Sequence, residues 1–347
     1  GQFGSLRSPE AGAPRYVGVK FNENFRLLYK DFDLVEEQEE EGEKIEPKFF
    51  LPIIPTVLLN GGSGIAVGFA TNILNRHPHD LVKSCLAILS GKKCPESKPW
   101  IRGFQGTFDR VPDAPKSWII CGKFNVKNTT TVEITEIPPG FTYEKYEIHL
   151  ENLIQKGTLV SYNDHSAETP HYVLKFRRST LAQLTRRSRL SSILKMQERV
   201  GENYTTLDET GSLKVFECPE DMIEYFVSFR LKYYSLRKKR TIHLLEKELS
   251  VASNRVRFIE AILAEKLKIN NRPKKEIEAD LRDMDFKKQN NSYGYLLGMS
   301  IHSLTKEKAN ELRKERVQKT EELEKAKETS PKQMYVSDLK LLLKKIG

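Results

Sequence analysis

Apolar residues fall at helical spacing in some stretches of this chain and in short strand-like runs in others. Leu81, Val82, Cys85, Leu86 and Leu89 lie three or four apart and predict a helix over 79–90. Tyr146, Leu150, Leu153 and Ile154 do the same for 143–157. Trp118–Cys121, Thr131–Ile137, His171–Phe176 and Gly211–Phe216 are β-branched or aromatic runs and read as strands, the second closed by Pro138-Pro139-Gly140. Near the N-terminus Tyr16–Phe21 alternates like a strand, and Asn24–Tyr29 reads as a short helix. Pro52 and Pro55 hold Ile53 and Ile54 extended, because a residue before proline avoids the helical region. Asn60-Gly-Gly-Ser-Gly64 reads as a tight turn or turn pair.

From Pro219 the pattern changes. Proline early and acids in the first turn suit a helix start. Met222, Phe226, Phe229, Tyr233 and Leu236 follow on one face, which resumes at Leu245, Leu249, Ala252, Val256, Ile259 and Leu263. No glycine or proline interrupts, so the helix reaches about 60 Å or more at ~1.5 Å per residue. A second helical run starts near Thr305, with Glu307 close by, and breaks at Ser330-Pro331. A last helix carries Val336, Leu339, Leu342, Leu343 and Ile346. Two long polar helices with narrow apolar seams are expected to pack antiparallel as a coiled coil. The apolar knot Tyr293–Leu304 lies between them as a tip.

Charge sharpens this picture. The net charge is +10, yet residues 31–46 hold nine acids and one base, leaving about +18 on the remainder. That remainder suits a polyanionic partner. Residues 33–48 read as an acidic, mobile connector, with Asp31 and Asp33 as part of its solvated run rather than a metal pair. Arg237-Lys-Lys-Arg240 reads as a solvated helix face. Arg177, Arg178, Arg186, Arg187, Arg189 and Lys195 form a basic stretch without interleaved aromatics, which suits contact with a duplex backbone rather than base stacking. The four cysteines make no C-x-x-C pair, so a reduced setting is expected and a zinc site is not. No run of eighteen apolar residues predicts a membrane span, and the opening residues lack an apolar signal region.

The sharpest candidate chemistry is Arg15-Tyr16. A phenolate attacks a phosphodiester, and a guanidinium holds the phosphate and stabilises its developing charge. The bland alternative packs Tyr16 under a loop and pairs Arg15 with Glu10. Gly62-x-Gly64-x-x-x-Gly68 lacks both the dinucleotide spacing and a Walker lysine, so nucleotide binding there is disfavoured. Glycines without side chains let backbone approach a duplex instead.

Ala13-Pro-Arg-Tyr-Val and, some forty residues on, Asn60-Gly-Gly-Ser-Gly-Ile-Ala-Val-Gly-Phe-Ala-Thr-Asn72 together resemble the breakage–reunion subunit of type IIA DNA topoisomerases. That family includes gyrase A, eukaryotic topoisomerase II and the T-even-type bacteriophage enzymes. The resemblance runs close to full length and is strongest to phage and eukaryotic-like members. It implies an α+β fold: a winged-helix remnant with the catalytic tyrosine over 1–45, a mixed tower over 46–218, and an antiparallel coiled coil over 219–347. A C-terminal dimer gate is expected at about 292–305. It implies Tyr16 as nucleophile and Arg15 as its phosphate-binding neighbour. Ile65 is implied as the wedge between base pairs, with Gly64, Asn72, Arg177, Arg178, Arg186 and Arg187 at the DNA.

The resemblance further implies magnesium held by a toprim domain of a partner, ATP used by a partner ATPase domain, and no metal ligands in this chain. Expected partners are double-stranded DNA, a second copy of the chain and the toprim/ATPase part, in the cytoplasm or nucleus of a cell and not at a membrane. Most of the winged helix is expected to be missing here. The competing reading is a non-enzymatic, dimeric coiled-coil protein that binds or organises DNA.

Overall fold

The computed structural model describes residues 3–299 and 306–346. Its elements in chain order begin with α1 (Phe25–Leu28), the hairpin β1 (Glu37–Glu40) and β2 (Glu43–Pro47), α2 (Thr56–Asn60), the hairpin β3 (Gly62–Ala66) and β4 (Phe69–Ile73), and α3 (Pro78–Leu89). Then follow β5 (Thr107–Val111), β6 (Ala114–Cys121), β7 (Lys123–Val126), β8 (Thr131–Glu136), α4 (Tyr143–Gln155), β9 (Ser161–Asp164) and β10 (Tyr172–Lys175). Next come α5 (Arg178–Arg186), α6 (Leu190–Ile193), β11 (Gln197–Gly201), β12 (Thr205–Leu207) and β13 (Leu213–Val215). The C-terminal part is helical: α7 (Pro219–Leu263), α8 (Lys274–Asp283), α9 (Gly294–Leu297), α10 (Lys306–Glu328) and α11 (Pro331–Ile346). This is a mixed α+β chain, and it divides into two compact units.

The first unit comprises Gly1–Lys30, Phe49–Ser228 and Leu339–Gly347. It holds an antiparallel sheet of order β7-β8-β10-β9 and a second of order β11-β6-β5. Helix α4 lies on the first sheet. Thr142 caps it by accepting from the Lys145 N–H, and its face Tyr143, Tyr146, Leu150 and Leu153 is buried against Val132, Ile134, Tyr172 and Leu174. Tyr146 keeps its hydroxyl satisfied there by donating to the Leu194 carbonyl at 2.8 Å.

The second unit comprises Asp31–Lys48 and Phe229–Asp338. Helix α7 runs forty-five residues, as the uninterrupted pattern predicts. Its Glu246, Glu248 and Glu260 pair with Lys327, Lys319 and Arg313 of α10. Partners that rise on one helix fall on the other, so the two run antiparallel. Val256, Ile259, Ala309 and Leu312 form a small apolar seam between them.

Four expectations are corrected. The strand at Tyr16–Phe21 does not form: a 3-10 turn, Pro14–Tyr16, stands at its start, and the residues after it have no pairing strand. The acidic 33–48 segment is not an unstructured connector but carries the β1–β2 hairpin, turned at Glu41 and Gly42, both at positive φ. The tight turn is not at 60–64, because Gly62 and Gly64 lie within β3 and the chain reverses at Val67-Gly68. The tip is also less bare than expected. Helix α8 and the segment around it cover it: Tyr293 and Leu296 are buried with Phe258, Leu267, Ile277, Leu281 and Phe286, while Leu297 and Met299 pack on that core partly exposed. The tip residues 300–304 and the proposed cap Thr305 lie outside the described residues.

Candidate functional site

Tyr16 closes the 3-10 turn that Pro14 opens, a position where proline's fixed φ fits and its missing N–H costs nothing. The turn is held by the Tyr16 N–H on the Ala13 carbonyl at 2.9 Å. The phenol is 81% exposed, and the Arg15 guanidinium carbon lies 5.9 Å from its ring centre. Arg15 makes no ion pair with Glu10 or with any other described carboxylate. Neither side chain is used in packing, so both are available to a ligand.

Gly64, Ile65 and Asn72 share one hairpin. In its register Gly64 faces Thr71, Ile65 faces Ala70 and Ser63 faces Asn72. Every residue of β3 is exposed. Ile65 is 96% exposed and takes no part in the core. Gly61, at φ +65, lets the hairpin leave α2: a Cβ there would stand 2.7 Å from the Ile73 carbonyl oxygen. Gly68, at φ +83, makes the reverse turn. The Asn72 amide is engaged within the fold, donating to the Gly201 carbonyl at 2.5 Å.

The four arginines are exposed but not gathered. Arg177 and Arg178 stand at the start of α5, Arg186 and Arg187 at its end. Eight residues at ~1.5 Å rise separate the two pairs by about 12 Å along the axis.

Two buried constructions escaped the sequence reading. In the first unit the Glu202 carboxylate and the Arg76 guanidinium, both fully enclosed, meet at 2.8 Å. Trp118 Nε1 and the Tyr204 hydroxyl each donate to Glu202 at 2.7 Å. Burial alone would raise the Glu202 pKa. Arg76, through hydrogen bonds and charge, together with Tyr204 and the Leu74 N–H, outweighs that and holds it below the usual carboxylate range. In the second unit Asp31 takes Arg230 at 2.6 Å and Arg237 at 2.5 Å, and Arg237 also reaches Asp338 at 2.7 Å. Asp31 and Arg237 are therefore a largely buried knot, not a solvated linker and a solvated helix face. Arg240 likewise pairs with Asp33 at 2.6 Å. Partners lie up to 207 residues apart, and no local pattern marks them. Among the described residues no group of three His, Cys, Asp or Glu side chains is placed to hold a metal ion.

The family model describing the A subunits of DNA gyrase/topoisomerase IV matches residues 1–340. The chain is 31% identical over 343 residues to the DNA topoisomerase medium subunit of Enterobacteria phage T4, covering 98% of this chain and 76% of that protein. It is 30% identical to DNA topoisomerase 2-alpha of Gallus gallus, covering 98% of this chain but 24% of the relative. It therefore spans about a quarter of that relative's length. In structure it is similar to the DNA-binding, cleavage and re-ligation domain of Plasmodium falciparum topoisomerase II, with a TM-score of 0.83 and 27% identity over 100% of this chain and 51% of that one.

Proposed function

The chain belongs to the family of DNA gyrase/topoisomerase IV A subunits, and from that premise we propose that it is the DNA breakage–reunion part of a type II DNA topoisomerase. The observation that carries this is the exposed Tyr16 beside an uncommitted Arg15. The Tyr16 oxygen, having given up its proton, attacks a backbone phosphorus. A phosphotyrosine bond forms to the 5′-phosphate, the bond to the 3′-oxygen breaks, and that oxygen takes up a proton. One phosphodiester replaces another, so little free energy is lost and the reverse attack reseals the strand. Arg15 grips the phosphate and balances the charge that gathers on it. Two copies, each cutting one strand, open the duplex for another to pass.

Ile65 is the wedge, inserted between base pairs from the exposed hairpin. An apolar wedge costs a few kcal/mol of unstacking, offset by contacts along the bent duplex. Gly64 lets the backbone approach, Asn72 shapes the hairpin from behind, and the two arginine pairs of α5 contact phosphates. Magnesium supplies charge neutralisation at the phosphate when bound. Its ligands, on this reading, are the carboxylates of a partner toprim domain. ATP is used by a partner ATPase domain. Residues 1–45 act as the tyrosine-bearing winged-helix segment, 46–218 as the tower and 219–347 as an antiparallel coiled coil whose tip forms the gate of a homodimer. The setting is intracellular, as for a phage-type protein working in its host. Among the described residues no helix is long and apolar enough to cross a membrane.

The test is Tyr16→Phe in the assembled enzyme. It should abolish the covalent DNA adduct and leave DNA affinity nearly unchanged, since only the nucleophilic oxygen is removed. An unaltered wild-type protein that binds DNA yet never forms an adduct would favour the non-enzymatic DNA-binding reading.

A further inference from the structure

We propose that Glu202 is a positioning residue that aims the β3–β4 hairpin at DNA, its buried carboxylate fixing the angle at which Ile65 is presented. This rests on the wedge reading of Ile65 above. The hairpin is a cantilever: β3 is exposed along its whole length, and the arm is carried by β4. Three consecutive residues grip β4 and the residue after it. The Gly201 carbonyl takes the Asn72 amide at 2.5 Å. Asn203 and Asn72 exchange backbone hydrogen bonds of 3.0 and 2.8 Å. Between them, Glu202 Oε1 accepts the Leu74 N–H at 2.8 Å.

Glu202 is the part of this grip that cannot turn. Oε1 also accepts from Arg76 at 3.0 Å, and Oε2 accepts from Arg76 at 2.8 Å, Trp118 at 2.7 Å and Tyr204 at 2.7 Å. A carboxylate has about four lone-pair sites, so five donors saturate it. Arg76 is itself fixed, donating to the carbonyls of Leu74 at 2.6 Å and Ser97 at 3.2 Å. Trp118 belongs to β6, the middle strand of its sheet, so the carboxylate ties the arm to a rigid layer. Apolar packing of the same volume would serve cohesion as well as a buried ion pair does. What it could not do is fix the direction of the Leu74 N–H. Glu202 does not touch DNA and acts only through the hairpin.

The experiment uses the assembled enzyme and a short duplex labelled at both ends, with bend angle read by fluorescence transfer. The proteins are the wild type, Ile65→Ala, Glu202→Gln, and the pair Arg76→Met with Glu202→Leu. The pair removes both charges together, so no buried charge is stranded. It should bind DNA within about two-fold of wild type, because exposed basic groups supply the affinity, while its bend falls to that of Ile65→Ala. Hydrogen exchange at the amides of 72–74 should speed up about ten-fold or more, with 118–121 unchanged. A wild-type bend in the paired variant overturns the proposal. Should the variants not fold, the wild type decides: the Leu74 amide must be as protected as those of β6, and exchange as fast as the 66–69 turn overturns it. If Ile65→Ala itself bends DNA normally, the wedge reading fails, and amide exchange alone decides whether Glu202 holds the arm.

Discussion

The Glu202 carboxylate shows how much a single residue depends on its surroundings. Unfolded, it titrates near the ordinary value of about 4.3. Folded, burial opposes its charge, but Arg76, Tyr204 and the Leu74 N–H prevail and its pKa is lowered. A depressed carboxyl contributes stability above its unfolded pKa and loses it as pH falls through the folded one. Denaturant titrations of wild type and Glu202→Gln should therefore differ most near pH 7 and draw together as pH falls below about 4.3 and through the lowered folded pKa. A gap that stays constant with pH would contradict the ion pair. At this scale the sequence was partly legible. The motifs that single out Arg15-Tyr16 and Ile65 are local, and the structure leaves all three side chains exposed. Arg76 and Glu202 meet across more than a hundred residues, and a lone Arg and a lone Glu carry no local signal.

Elements with one buried face were the most readable. Helices α3 and α4 and strands β8 and β10 lie within two residues of where their apolar spacing puts them. The β1–β2 hairpin was not, because β1 is exposed at every residue and has no apolar alternation to see. Its neighbourhood is fixed by the Asp31–Arg237–Asp338 knot, beside which Tyr234 and Tyr335 stack at 4.4 Å. Arg237→Met should take one guanidinium away from Asp31, which keeps Arg230, and from Asp338, which keeps the Tyr234 hydroxyl. The loss should be about 2–4 kcal/mol, under the full range for a buried pair because the guanidinium keeps some exposure. Chemical unfolding would measure it, and a change under about half a kcal/mol would show the knot to be dispensable. Helix α5 makes a separate prediction. Arg186→Gln with Arg187→Gln should lower the slope of log affinity against log salt by up to about 1.8, if each contacts one phosphate. An unchanged slope would place that end of α5 away from DNA.

For the whole molecule, the basic excess and the long helices were visible in sequence, but the cover of the tip was not. Helix α8 buries Tyr293 and Leu296 within one chain, leaving Tyr295, Leu297 and Met299 partly exposed. A homodimer closed at this tip should sediment at twice the chain mass of 40.0 kDa at micromolar concentration. Leu297→Glu should shift it toward monomer with little loss of helix by circular dichroism. A wild-type monomer would remove the tip from the account. The central claim, that Tyr16 joins DNA covalently, has a more direct test in the assembled enzyme. The enzyme is trapped on DNA with denaturant, digested, and its nucleotide-bearing peptide identified by mass spectrometry. The account predicts the added nucleotide on Tyr16 and no such peptide from Tyr16→Phe. A nucleotide on any other tyrosine, or an adduct that survives Tyr16→Phe, would contradict it.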